Sequence, residues 1–294
     1  MKIIILGGDG MLGHKMFQIV SQRFPEVYCT LHGHIDDAVH WKISLFQNSK
    51  VIENFDAMNI HKVQKTLSDL QPDYIINCIG IIRQRSEAKD AILSITINSL
   101  LPNKLARLCE AWGGRLIHFS TDCVFSGHRG SYVETDLSDA EDLYGKTKFL
   151  GEVDSENSLV LRTSIIGREL RHFQSLLEWF LSQNHLKVYG FKRAWYSGVT
   201  TNYLAELVAN IMVNFSQLTG LFQVASQTIS KFDLLCLLRQ AYNLDIEIQP
   251  EENFHCDRSM KGDKLLQATG IQCPSWPELV DQLANDPTSY ERWR

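Results

Sequence analysis

Short apolar runs alternate with amphipathic ones along the first half of the chain. Lys2–Leu6, Glu26–Leu31, Tyr74–Ile79, Arg115–Phe119 and Leu159–Leu161 are brief and predominantly apolar, and each reads as a strand. Between several of them, Met11–Arg23, His61–Leu70, Asn98–Trp112 and Tyr144–Glu152 follow helical patterns, with apolar residues three and four apart. Strands that are continuously apolar and alternate with helices predict a parallel sheet covered on both faces, a doubly wound α/β fold.

After about Thr163 the rhythm loosens. An apolar helix near Phe173–Leu181 is followed by KVYGFKRAWYSGVTTN, which reads as turn-rich, then by a long helix near Tyr203–Phe215 and a Pro-, Trp- and Asp-rich tail from Gln249. The pattern predicts a first domain over residues 1–163, to which a segment at about 197–226 returns. A smaller lobe made of 164–196 and 227–294 is expected to close over the sheet edge.

Composition narrows the partners. With 294 residues, 44% of them apolar, the chain can bury a sizeable core. A net charge of −5, a pI near 6.1 and no run of Lys and Arg argue against nucleic acid or an anionic membrane as partner. No apolar stretch reaches the roughly 18–20 residues of a membrane span. The start passes into a strand without a signal-peptide pattern, which gives a cytoplasmic reading. Seven irregularly spaced cysteines without a CxxC pair suggest buried thiols rather than a disulfide framework or a zinc site.

The first chemical signal is GGDGMLG, directly after the first strand. Gly7, Gly10 and Gly13 give G-x-x-G-x-x-G at the start of a helix. Such a loop turns tightly, lets the backbone approach a diphosphate and packs the helix closely on the sheet; the helix N-terminus then favours the negative charge. A dinucleotide site on a Rossmann-type sheet is therefore expected. Asp9 is discordant beside phosphate, and is expected to face solvent or to cap the helix.

The second signal is DLYGKTKFLGE. Tyr144 and Lys148, four apart, share one face of a helix. An ammonium beside a phenol favours the phenolate and lowers its pKa, so that the tyrosine can exchange a proton with a substrate oxygen. The spacing alone is common. It gains weight by following HFSTDCVFSG, a strand ending in Ser120 and Thr121, where a hydroxyl can hold the same oxygen at the carboxyl edge of a sheet.

GGDGMLG, INCIG at 76–80, STDCVFSG at 120–127, YGKTKFLGE at 144–152 and LRTSIIGRE at 161–169 stand in the order found in the extended short-chain dehydrogenases. Within these, the chain resembles the dTDP-4-dehydrorhamnose reductase family, over nearly its whole length. WYSGVTT and DRSM resemble a subgroup found in bacterial polysaccharide gene sets. The resemblance implies NAD(P)H-dependent reduction of a nucleotide-linked 4-keto-6-deoxysugar, for surface polysaccharide. It implies a triad of Thr121, Tyr144 and Lys148: Tyr144 protonates the keto oxygen, Lys148 tunes Tyr144 and holds the nicotinamide ribose, and Thr121 orients the carbonyl. Gly7, Gly10, Met11, Leu12 and Gly13 would line the pyrophosphate, Asp56 and Ala57 would sit by the adenine, and Cys78, Ile79 and Gly80 would lie along the ribose. Asp122 would meet a sugar hydroxyl.

Two rivals share these motifs. A nucleotide-sugar 4-epimerase or dehydratase would recycle a tightly bound NAD; Cys123, where dehydratases often carry glutamate, argues against dehydration. A non-catalytic rival exists because the regulatory subunit of methionine adenosyltransferase belongs to the same family.

Cofactor choice is read at the end of the second strand, where a carboxylate suits NAD and an arginine suits NADP. TLHGHIDD has His32 and His34 there; imidazole can donate to a phosphate, and no carboxylate stands at the strand end, so NADP(H) is favoured over NAD(H) with His32 as a contact. His32, His34 and His40 otherwise read as surface loop residues, and no metal site is assigned. A nucleotide-sugar needs cations for its diphosphate and an aromatic for its base. Arg83, Arg168, Trp195 and Arg258 are the candidates, with Lys192 and Arg193 nearby. A homodimer remains open.

Overall fold

The computed structural model describes residues 1–36, 44–47, 50–82 and 86–290. The strands among the described residues are β1 Lys2–Leu6, β2 Glu26–Thr30, β3 Lys50–Ile52, β4 Tyr74–Asn77, β5 Arg115–Thr121, β6 Ser158–Thr163, β7 Ile165–Ile166, β8 Lys187–Tyr196, β9 Val199–Thr200, β10 Gly220–Gln223, β11 Ile229–Ser230 and β12 Glu247–Asp257. Seven of them form an all-parallel sheet in the order β10-β6-β5-β4-β1-β2-β3. This is the doubly wound Rossmann-type arrangement.

The apolar run of β1 is explained by cover on both sides. Ile3 and Ile5 join a core with Met16, Phe17 and Val20 of helix Met11–Arg23 and Leu204 and Val208 of helix Thr201–Asn214. Ile4 and Leu6 face the other way, against Val63 and Leu67 of helix Ile60–Leu70 and Leu101 and Leu105 of helix Leu101–Trp112. At roughly 25 cal/mol per Å² of apolar surface, these two layers dominate the fold's stability. The strand order reverses between β1 and β4, which opens the crevice where ligands of such sheets bind.

The helix expected over Asn98–Trp112 starts earlier, at Ala91, and contains a π-helical turn at Thr96–Leu100. Two strands, β3 and β10, lie at the sheet edges outside the expected set; β10 belongs to the returning segment.

The larger correction concerns KVYGFKRAWY. It is no turn but the ten-residue β8, central in a second sheet ordered β11-β8-β12. Val188, Gly190, Ala194 and Tyr196 are buried against helix Lys231–Ala241, while Tyr189, Phe191, Arg193 and Trp195 remain exposed on the other face. The tail from Gln249 likewise continues β12 and then forms helices Asp263–Thr269 and Trp276–Ala284.

Residues Asp286–Tyr290 return to strap the first helix. Buried Lys15 pairs with Asp286 at 2.6 Å, and His14 Nε2 lies 2.9 Å from Tyr290 Oη. Burial drives the His14 imidazole down to about 4, so it stays neutral there. Among the described residues, no helix is long and apolar enough to cross a membrane, and no group of three or more His, Cys, Asp or Glu is arranged to hold a metal ion.

Candidate active site

The glycine loop is shaped by close approach. Gly7 has φ +80°, and a Cβ there would meet Ile79 Cγ1 at 2.9 Å; a Cβ on Gly13 would overlap the Gly7 carbonyl. At Gly10 the nearest atom a Cβ would meet is Gly7 O, 3.4 Å away, so the loop is open at this point. Gly10 is the N-cap of helix Met11–Arg23, and the first-turn N–H groups of Met11, Leu12 and Gly13 have no acceptor earlier in the helix. The residues fit a diphosphate: an open backbone, helix N–H donors and the positive end of the helix dipole.

Asp9 neither caps the helix nor faces solvent. It is 4% exposed and pairs with Arg171 at 2.7 Å, which neutralises the carboxylate beside the proposed anion site. Arg171, 162 residues away in sequence, carried no signal that could have revealed this role.

Cys78, Ile79 and Gly80 leave the end of β4 beside this loop. Cys78 N–H donates to Leu6 O at 3.0 Å and Ile79 N–H to Asn77 Oδ1 at 3.1 Å. Asn98, which the sequence reading missed, fixes the next residue: its side chain accepts from Ile81 N–H at 2.9 Å and donates to Ile81 O at 3.1 Å. It does so from the π-helical turn, a feature that often marks functional positions. Asp56 and Ala57 lie in the turn before helix Ile60–Leu70, tied to the β2 end through Phe55 N–H to Leu31 O at 2.8 Å.

His32 is exposed at the end of β2. His34 lies 2.7 Å from Glu53 Oε2, so a carboxylate does stand near this strand end, delivered by the residue after β3. His40 and Arg83 lie outside the described residues.

Thr121 ends β5 and Tyr144 lies in the first turn of helix Leu143–Leu150, which Asp142 caps through Gly145 N–H at 2.8 Å. The Thr121 side chain acts on the Tyr144 phenol, favouring its ionised form. Lys148 is buried and donates from Nζ to Phe119 O at 2.7 Å. Thus the three residues of the expected triad meet at the carboxyl end of a central strand.

Their electrostatics differ from expectation. Burial pushes the Tyr144 phenol upward, and the Asp122 and Asp142 carboxylates add to it, against the Thr121 side chain. The phenol is therefore held protonated, the form required of a proton donor. Burial takes Lys148 down to about 8, with the Glu152 carboxylate opposing. Below that pH Lys148 carries its charge, and above it the charge is lost.

Asp122 is buried and accepts from Thr121 Oγ1 at 3.1 Å. Arg258, at the end of β12, donates from Nε to Phe125 O at 2.8 Å and lies within the electrostatic reach of Asp122 and Asp142. Asp122 thus adjoins Thr121, and Arg258 is held by the segment that follows it. Arg168 lies elsewhere: it is 8% exposed, donates from Nε to Glu178 at 2.8 Å and stacks on Tyr290. Trp195 is on the face of β8 opposite Tyr196, and it is Tyr196, 3% exposed, that approaches Asp122. Lys192 reaches Glu252 at 3.4 Å on the surface.

Comparisons with known proteins follow this geometry. Mouse methionine adenosyltransferase 2 subunit beta is 25% identical over 328 residues, covering 100% of this chain and 90% of its own. Spore coat polysaccharide biosynthesis protein SpsK of Bacillus subtilis is 28% identical over 304 residues, 98% of each chain. The crystal structure of dTDP-4-dehydrorhamnose reductase from Bacillus anthracis in complex with NADP superposes with a TM-score of 0.77 at 20% identity, covering 96% of this chain and 98% of that one, a likeness of fold. The glycine loop, the strand-end threonine and the tyrosine–lysine helix all fall within residues 1–288, which match the RmlD substrate binding domain, and by that extent the chain belongs to this family of dTDP-4-dehydrorhamnose reductase-like proteins.

Proposed function

We propose that the protein is a cytoplasmic reductase that converts the 4-keto group of a nucleotide-activated 6-deoxysugar to a hydroxyl, with NADP(H) favoured over NAD(H), in the supply of surface polysaccharide. The observation that carries the proposal is the meeting of Thr121, Tyr144 and Lys148 at the end of β5, beside a glycine loop fitted to a dinucleotide. The nicotinamide, when bound, supplies the hydride. Tyr144 gives its phenolic proton to the keto oxygen, which Thr121 orients by hydrogen bond. Lys148 keeps a positive charge beneath the site and holds the ribose. Asp122 accepts from a sugar hydroxyl, and Arg258 faces the diphosphate. Holding the remote nucleotide positions the carbonyl, the main contribution such chemistry needs from the protein.

Support for NADP(H) comes from the exposed imidazole of His32, with the Glu53 carboxylate engaged by His34. Exposed Ile92, Ile95, Leu100, Phe149 and Leu150, on adjoining helical segments, support a homodimer.

A specific observation favours a second reading, that of a dinucleotide-binding regulatory subunit. One relative matched across the whole chain is a methionine adenosyltransferase subunit. The presence of all three triad residues weighs against it, because a regulatory role does not need them.

The deciding experiment follows NADPH and NADH absorbance while the protein is offered dTDP-, UDP- and GDP-linked 4-keto-6-deoxyhexoses. Oxidation with one donor, faster with NADPH, is expected. Tight dinucleotide binding without oxidation by any donor would favour the epimerase or, with one stoichiometric partner recovered, the regulatory subunit.

A further inference from the structure

Lys231 is the first residue of helix Lys231–Ala241, at the positive end of the helix dipole, where a carboxylate is the favoured occupant. Asp233 takes that part in the first turn, accepting from the N-cap Ser230 hydroxyl at 2.6 Å. Lys231 gains nothing from this helix end. Its ammonium lies 3.4 Å above the centre of the Tyr196 ring, half-buried, and makes no hydrogen bond or ion pair with any described residue. A cation taken partly out of water without a counter-ion is costly, and an aromatic face offsets only part of that cost.

The groups around it identify what it faces. Burial lowers its titration to about 8, against the Asp122 carboxylate, which favours the charged form. Tyr196 forms the floor, and a Cβ on Gly198 would meet both its Oη and Ser164 O. Ser164 follows Thr163, which pairs with Thr121 across β6 and β5, so Tyr196 holds the Lys231 ammonium beside the strand ends that carry Thr121 and Asp122. A carboxylate acceptor and an ammonium donor on neighbouring strand ends match neighbouring oxygens of a hexose ring.

Resting on the reductase reading, we infer that Lys231 is a substrate-binding residue, which donates from its ammonium to a ring oxygen substituent next to the keto carbon, across from Asp122. It selects sugars that carry an oxygen at that position. Tyr196 keeps the ammonium aimed, so the hydrogen bond forms without ordering a free lysine side chain. Nothing in the sequence near Lys231 announces this; the pairing of β11 with β8, Ser230 opposite Trp195, brings it to the site.

Lys231→Met and Lys231→Arg test the inference by steady-state kinetics with the sugar that the wild-type protein reduces. The methionine variant is expected to raise KM for the sugar about ten- to a hundredfold, as for loss of one charged hydrogen bond, with kcat within a few-fold and NADPH affinity unchanged. The wild-type KM is expected to climb as pH rises through about 8, where the ammonium is lost, and the arginine variant to keep a flat KM across the same range. A structural role alone would not produce that contrast. If the wild-type protein turns over and Lys231→Met keeps its KM, or if the arginine variant retains the alkaline rise, the inference is overturned and the reductase assignment stands. If no sugar is reduced at all, the reductase assignment falls and takes this inference with it.

Discussion

Tyr144→Phe is expected to lower kcat/KM by about 10²- to 10⁴-fold, the range for loss of a positioned general acid, while NADPH binds within about twofold of its wild-type affinity. Removal of the phenolic oxygen leaves the ring and its packing. It deletes the proposed proton donor. The keto oxygen would then have to take its proton from Thr121 or water. The wild-type pH profile should carry the signature of that lysine. Because burial lowers Lys148 to about 8, its charge is full below that pH and lost above it, so turnover should decline on the alkaline side. The raised phenol does not titrate in this range. Near-wild-type turnover in Tyr144→Phe, with the protein folded and dinucleotide bound, would remove the residue from the chemistry and with it the proposed reaction.

What the sequence disclosed was local. The glycine loop and the Tyr144–Lys148 pair are legible because their geometry is set within one turn of chain, and β1, β4 and β5 because both their faces are buried. β8 was lost for the opposite reason. Its outward face carries Tyr189, Phe191, Arg193 and Trp195 and its inward face includes Gly190, so the segment resembles a turn until helix Lys231–Ala241 is seen to cover it. Without the strand there is no alternation to separate outward Trp195 from inward Tyr196.

Long-range pairings were illegible for the same physical reason. Arg168 and Arg171 are three apart and chemically alike, yet one is committed to Glu178 and the other to Asp9. Only the path of residues 167–175 between the two sheets separates them. Asn98 and Glu152 are similar cases: their functions depend on Ile81, Ser120 and Arg162, which lie on other elements.

Glu152→Gln is expected to cost about 3–5 kcal/mol of stability, the range for breaking a buried ion pair, and so to lower Tm by roughly 10 °C. Arg162 on β6 is 1% exposed. Its Nε and one terminal nitrogen donate to the two Glu152 oxygens at 2.9 and 2.6 Å, and Ser120 Oγ donates to the same carboxylate at 2.6 Å. The amide keeps the shape but removes the charge, leaving an interior guanidinium without its counter-ion, with the Phe125 ring 4.9 Å away and the Gln223 amide oxygen 3.2 Å from its other terminal nitrogen. Paired substitution of Glu152 and Arg162 by leucine and methionine should recover much of the loss, since an apolar pair leaves no unbalanced charge. A second readout links the pair to catalysis. Glu152 supports the charged form of Lys148, so its neutralisation lets burial lower that lysine further, and the alkaline decline of turnover should move to lower pH. Thermal unfolding and the kcat profile of the single variant measure both effects together. An unchanged Tm would mean that water reaches Arg162, and an unmoved alkaline limb that Lys148 is not the group behind it.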